Sequence, residues 1–217
     1  MKSVQFFRFF FNLPIVLFTK NFFIKEIEGK ENFPRENFIL ASNHQDYLDI
    51  FVSGSICFPR KFHFIGQVDT WHGFRGTLVK TFYFLEGVIP LDRKNEKSKQ
   101  EAVEKAVEIL KKEGVLIIYP EGRRSRTGLV QKGKLGAAKI FLETGVPIVP
   151  MGIKKPVGFF GEKPEIKRNI EVKIGKPLYF REELEKATNL EKNSKEYFQL
   201  LEEITEKTMK EISTLVS

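Results

Sequence analysis

Short apolar runs alternate with amphipathic stretches along most of this chain, and that alternation limits the folds open to it. Candidate strands fall at Phe38 to Ala41, Phe62 to Ile65, Val88 to Leu91, Val115 to Tyr119, Pro147 to Gly152 and Ile170 to Gly175. Helical periodicity lies between them. Ser98 to Lys112 puts Ala102, Val103, Ala106, Val107 and Leu110 on one face with Glu and Lys opposite, and Gly114 stands just past its end. Lys134 to Glu143, ended by Gly145, and Ser194 to Leu215 are further candidates. Such alternation implies an α/β fold, a mostly parallel sheet flanked by helices. A length of 217 residues suits one domain with a substantial core plus a short appendage.

The appendage is expected at residues 1–30, with the α/β domain over 31–217. From Phe6 to Phe23 the chain carries eight phenylalanines with Leu13, Ile15, Val16 and Leu17, accompanied by Lys2, Arg8, Lys20 and Lys25. The longest uncharged run, Phe9 to Thr19, is eleven residues long and contains Asn12 and Pro14. A spanning helix needs about 20 apolar residues. The composition instead suits one or two short helices lying in the headgroup region of a membrane, broken near Pro14. A core-packing helix is the bland alternative, and a signal peptide is disfavoured because no small-residue cleavage site follows.

The segment Ser42-Asn43-His44-Gln45-Asp46-Tyr47-Leu48-Asp49 places a histidine and a carboxylate five residues apart. In a continuous helix such positions sit about 140° around the axis and cannot face each other. They can meet only if His44 occupies the turn after the strand Phe38 to Ala41 and Asp49 the first turn of the following helix. Asp49 then orients the imidazole and stabilises its charged form, as a base and its orienter require. Taken alone, the same residues also read as a capped helix behind a polar turn histidine.

Three further segments bear on that choice. Gly87 to Arg93 brings an arginine to the end of an apolar run, and Tyr119-Pro120-Glu121-Gly122-Arg123-Arg124-Ser125 ends the strongest strand candidate. Polar groups at the carboxyl ends of strands are where ligands collect in open α/β sheets. Arginine there suits a phosphate, since its planar fork makes bidentate, charge-assisted hydrogen bonds. Val146, Pro147, Ile148 and Pro150 form an apolar run that is expected to supply an apolar wall to a site at these strand ends.

These four segments together resemble the glycerophospholipid acyltransferase family, in particular the 1-acyl-sn-glycerol-3-phosphate acyltransferases. The family pattern Asn-His-x4-Asp falls on Asn43 to Asp49, Gly-x5-Arg on Gly87 to Arg93, Glu-Gly-Thr-Arg-Ser on Glu121 to Ser125, and Val-Pro-x-x-Pro on Val146 to Pro150. Arg123 stands where the family pattern has threonine, so the matching arginine is Arg124. The resemblance implies an O-acyltransferase that moves an acyl chain from a thioester to the free hydroxyl of 1-acyl-glycerol 3-phosphate, giving phosphatidic acid for phospholipid biosynthesis. It implies His44 as base and Asp49 as its orienter. Arg93 and Arg124, with Ser125, would bind the acceptor phosphate, Glu121 would contact the glycerol or order the arginines, and Gly122 would let the backbone approach.

No cofactor is implied, acyl-CoA or acyl-acyl carrier protein being a co-substrate, and no cysteine and histidine spacing suits zinc. Cys57 reads as a small core residue, and His63 and His72 as ordinary polar residues. The net charge of +8 concentrates in residues 120–176, with thirteen basic against five acidic side chains. That fits attraction to anionic lipid or a phosphorylated substrate, although runs such as Lys154 to Lys176 are often solvated surface. The expected partners are a membrane surface with anionic lipid, a lysophospholipid acceptor and an acyl thioester donor. The expected location is the cytoplasmic face of the cell membrane, peripheral or monotopic. Alternative readings are a same-family enzyme for glycerol 3-phosphate, another lysophospholipid or a lyso-aminolipid, and, more distantly, a non-enzymatic basic membrane- or nucleic-acid-binding module. Nucleic acid is disfavoured because no recognition motif or stacking platform accompanies the charge.

Overall fold

The computed structural model describes residues 2–68, 73–112, 114–156 and 168–217. The chain forms α1 (Lys2–Phe22), β1 (Ile24–Glu28), β2 (Phe38–Ser42), α2 (Leu48–Cys57), β3 (Phe62–Gln67), α3 (Gly73–Glu86) and β4 (Ile89–Leu91). There follow α4 (Glu96–Lys112), β5 (Val115–Ile118), α5 (Gly136–Thr144), β6 (Ile148–Lys154), β7 (Ile170–Ile174), α6 (Arg181–Thr188) and α7 (Lys195–Val216). The strands build one seven-stranded sheet in the order β1-β7-β6-β2-β5-β3-β4. All neighbours are parallel except β6 and β7, which run antiparallel. The α/β class expected of the sequence is therefore observed.

The alternation of side chains along the central strands divides the core into two halves. Phe38 and Leu40 of β2, Val115 and Ile117 of β5 and Val149 and Met151 of β6 pack on one face with Leu48, Val52 and Ile56 of α2. Ile39 and Ala41, Leu116 and Ile148 point to the other face, onto Ala102, Ala106 and Leu110 of α4, Ile140 and Phe141 of α5 and Leu201, Ile204 and Ile212 of α7. Strands covered on both faces can be apolar at every position, and β2 is buried from end to end. Helix boundaries follow local chemistry. α4 begins two residues before its expected start because the Asn95 side chain accepts the N–H groups of Lys97 and Ser98. α5 stops at Gly145, whose φ of 67° lets its N–H reach back to the Phe141 carbonyl.

Two expectations about the amino terminus are corrected. The chain does not break at Pro14: α1 runs continuously through it. Proline removes one helical donor and crowds the preceding turn, but here the helix is braced along its length by α2 and by the hydrogen-bonding groups described next. Nor does the α/β unit begin after residue 30, since β1 is an edge strand of the sheet, paired with β7.

α1 buries Val16 and Thr19, and Phe9 packs on Phe58 with ring centroids 5.0 Å apart. Arg8 turns inward: its guanidinium donates to the Phe62 carbonyl at 3.0 Å and lies 3.9 Å from the Glu86 carboxylate. Asn12 donates to the same carboxylate at 3.0 Å. Arg8 is thus a packing residue of α1 and not one of its flanking surface cations. The opposite face exposes Phe10, Phe11, Pro14, Leu17, Phe18 and Phe22, which at 100° per residue fall within an arc of about 140°. Among the described residues no helix is long and apolar enough to cross a membrane.

Candidate active site

β2 ends at the middle of the sheet, and the first residue past it is fastened to the neighbouring strand. The Asn43 side chain donates to the Ile153 carbonyl at 2.9 Å and accepts the Ile153 N–H at 2.8 Å, so one buried amide takes the place of a backbone rung between β2 and β6. His44 follows in the turn and Asp49 in the first turn of α2, as the spacing requires. His44 Nδ1 lies 3.0 Å from Asp49 Oδ2. The same oxygen accepts the N–H groups of Gln45 at 2.6 Å and Asp46 at 2.9 Å. One carboxylate therefore shapes the turn and holds the imidazole.

Asp49 is 1% exposed. Burial alone would raise its carboxyl, but hydrogen bonds from His44 and Lys155, with the Lys155 charge and the Asp46 N–H, hold it below the ordinary aspartate range. It is thus ionised at neutral pH. An ionised partner accepts only, so His44 carries its proton on Nδ1 and presents Nε2 as the acceptor. The ring stacks on Tyr119, with centroids 4.2 Å apart and planes 18° apart. Tyr119 bonds Ser53 at 3.0 Å, and burial together with the nearby Asp49 pushes its hydroxyl well above the ordinary range. It serves as a neutral platform.

Glu121, expected to contact the glycerol or to order the arginines, is held by backbone N–H groups. It is 2% exposed, its Oε1 accepts the His44 N–H at 2.9 Å, and its Oε2 accepts the Gln131 N–H at 3.2 Å. Its side chain ties the His44 turn to the loop leading into α5. Burial raises its carboxyl, and these two N–H groups oppose the rise. Ser125 also braces the turn, its N–H donating to the His44 carbonyl at 2.7 Å and its hydroxyl to the Leu129 carbonyl at 2.8 Å. Gly122 adopts φ 66°, and a side chain there would meet Lys134 within 2.8 Å.

A cleft of about 1760 Å³ opens over these strand ends. His44, Arg93, Gly122, Arg123, Arg124 and Ser125 line it, with Lys99, Arg126, Lys134 and Lys139 adding positive charge. Arg124 lies over the Tyr47 ring at 4.1 Å and Arg123 donates to Gln131 at 2.9 Å. The cleft's apolar lining includes Ile15 and Val16 of α1, Phe51 of α2, Phe62 and Phe64 of β3, and Val88. The wall expected from Val146, Pro147, Ile148 and Pro150 is not among the lining residues. Pro147, Ile148 and Pro150 are buried at the start of β6, and Val146 and Ile148 belong to the core beneath α5 and α7. An apolar central strand covered by helices has no face left for a ligand.

Three residues with evident roles carried no individual expectation. Asn43 and Tyr119 fall inside recognised segments. Lys155 follows β6 in a charged stretch that resembles solvated surface, yet its side chain is 0% exposed and bonds both Asp46 and Asp49. Cys57 is buried, and burial drives its thiol far above the ordinary range, so it is no nucleophile. His63 is buried with Nδ1 2.8 Å from the Gly87 carbonyl, and His72 lies outside the described residues. Among the described residues no group of three His, Cys, Asp or Glu side chains is arranged to hold a metal ion.

Comparison with known proteins bears on the same residues. A family model described as Acyltransferase matches residues 25–154. The chloroplastic 1-acyl-sn-glycerol-3-phosphate acyltransferase of Brassica napus is 31% identical over 163 residues, covering 73% of this chain and 46% of that protein. Its counterpart in Arabidopsis thaliana is 32% identical over 163 residues, covering 73% and 44%. This chain thus spans about half the length of these relatives. The crystal structure of the 1-acyl-sn-glycerophosphate acyltransferase PlsC from Thermotoga maritima shares the fold, with a TM-score of 0.61 at 24% identity over 94% of this chain and 81% of that one.

Proposed function

The chain belongs to the Acyltransferase family, and from that premise we propose that it acylates the free hydroxyl of 1-acyl-glycerol 3-phosphate from an acyl thioester, forming phosphatidic acid. The observation that carries the proposal is the His44–Asp49 pair, whose imidazole lines a cleft shared with Arg93 and Arg124. His44 Nε2 takes the hydroxyl proton as the acceptor oxygen attacks the thioester carbonyl. The tetrahedral intermediate collapses with loss of the thiolate, which takes the proton back from the imidazolium. Asp49 stabilises the charged imidazolium between those steps. No enzyme-bound acyl group is needed, and the donor is acyl-CoA or acyl-acyl carrier protein.

Arg93 and Arg124 bind the acceptor phosphate, and Arg123 adds charge beside them. Replacing Arg124 with alanine is expected to raise KM for lysophosphatidic acid about tenfold while kcat stays within about twofold, because the lost bond serves bound substrate and transition state alike. Steady-state kinetics over a range of acceptor concentrations checks this. A fall confined to kcat counts against a phosphate role.

The exposed apolar stripe of α1 rests on the headgroup region of an anionic bilayer, at the cytoplasmic face of the cell membrane. Because Ile15 and Val16 of the same helix line the cleft, a lipid acceptor passes from bilayer to cleft beneath α1 with its chain on apolar surface. The double substitution Phe10→Ser and Phe18→Ser is expected to weaken cosedimentation with phosphatidylglycerol vesicles at least about tenfold, since each half-exposed ring can contribute about half of the roughly 1.5–3 kcal/mol that full burial of a phenylalanine carries. Its melting temperature should fall less than for a core substitution, since both rings are about half exposed and pack on neighbouring phenylalanines of the same segment.

The reaction itself is tested by offering the protein lysophosphatidic acid, glycerol 3-phosphate and monoacylglycerol with each thioester class and identifying products by mass spectrometry. Phosphatidic acid released with one thiol per product is expected. Equal acylation of monoacylglycerol removes the case for the arginines, and no thioester consumption with any acceptor removes the enzyme.

A further inference from the structure

Lys155 stands directly behind the base pair, and its position is costly. Lysine normally keeps its ammonium in water, because burial removes hydration and rotamer freedom together. The preceding Lys154 does so, reaching the Ser217 carbonyl at the surface at 2.8 Å. Lys155 instead turns inward. Ser42 of β2 lies beside Met151 of β6, and four residues beyond each the chain arrives at Asp46 and Lys155. The ammonium lies 2.7 Å from Asp46 Oδ1 and also bonds Asp49 Oδ1. Asp49 thereby divides its oxygens, Oδ1 to Lys155 and Oδ2 to His44 and the turn.

We infer that Lys155 is a positioning residue for the acyl transfer: it grips Asp49 by the oxygen turned away from His44 and cancels one of two clustered carboxylates. Of the two aspartate charges beside the imidazole, Lys155 thereby offsets one. This inference rests on His44 being the base. The charged and titratable groups gathered around the imidazole are Asp46 and Asp49 of the turn and α2, Tyr119 and Glu121 at the end of β5, and Lys155 after β6. Tyr119 remains a neutral phenol, and Glu121 with the cleft arginines Arg93, Arg123 and Arg124 is left unchanged by substitutions at Asp46 or Lys155, so the difference between those variants reports the two aspartates and the lysine.

Removing the lysine leaves two carboxylates drawing a proton onto the imidazole, which takes free base away at neutral pH. Removing Asp46 does the reverse. The test is the pH dependence of kcat/KM for lysophosphatidic acid with palmitoyl-CoA, measured on the full chain. Lys155→Met is expected to lower kcat/KM at neutral pH by roughly tenfold to a hundredfold, the range seen when the partner that orients a functional ligand is lost. It is also expected to move the acidic limb to higher pH. Asp46→Asn keeps an acceptor for the Leu48 N–H and is expected to move the same limb to lower pH, so the inference remains testable if Lys155→Met does not fold. A simple packing role leaves both limbs in place, whatever the loss of rate. Limbs that coincide with wild type in a chain that does make phosphatidic acid overturn the role of Lys155 alone, whereas a wild-type chain that makes no acyl product overturns the reading beneath it.

Discussion

Replacement of His44 by alanine is expected to lower kcat by roughly 10²–10⁴, the contribution of a well-placed general base, with a modest fall in melting temperature from the lost Asp49 bond and Tyr119 stacking. The side chain is partly open to the cleft, and the bonds that fix its turn are backbone ones: its N–H to Glu121 and its carbonyl from Ser125. Alanine keeps both. Loss of the ring therefore separates chemistry from folding more cleanly here than at any neighbour. The assay is single-turnover formation of phosphatidic acid at saturating acceptor. A variant with wild-type turnover eliminates the base.

Asp49→Asn is expected to lower kcat by about 10³–10⁴, comparable to the loss when a carboxylate that orients a catalytic histidine becomes an amide. The reason lies in the partners. Lys155 is a donor and claims the amide oxygen, which turns the NH2 toward His44 Nδ1 and toward the N–H groups of Gln45 and Asp46. An amide donating to Nδ1 moves the imidazole proton to Nε2 and removes the basic lone pair from the cleft. Two backbone donors also lose their acceptor, so stability falls with activity. The pH dependence carries the same signature. Asp49 is held below its ordinary range when folded, so the native state gives up that proton more readily than the unfolded chain does. Its contribution to stability is present above the ordinary aspartate range and is lost as pH falls through the folded value. Denaturant unfolding across acid pH should show that loss in wild type and a flatter curve in Asp49→Asn. Identical slopes would count against the ionised pair.

Much of this arrangement is legible from local pattern. β2, β5 and β6 are apolar because both their faces are covered, and a histidine and an aspartate five apart can meet only across a turn that opens a helix. What escapes is whatever depends on which strands become neighbours. β1 is short and charged, and it counts as a strand only because β7, some 146 residues distant in the Lys25–Glu171 pair, lies beside it. Lys155 looks like surface until β6 is known to run parallel to β2. The same neighbour relation explains the misplaced acyl wall: Val146 to Pro150 are apolar because they enter the middle of the sheet, and no periodicity separates that cause from contact with a ligand. Pro14 argues for a break on intrinsic preference, and tertiary contacts along α1 override it.

The polar link from Arg8 and Asn12 to Glu86 changes what kind of attachment α1 makes. A tether lets its cargo tumble, whereas a helix bolted to α3 imposes its own tilt on everything behind it. On the proposed adsorption of the phenylalanine stripe, that tilt would dictate the angle at which the opening meets the lipid leaflet, and a foreign anchor spliced in its place would supply residence on a surface without that aim.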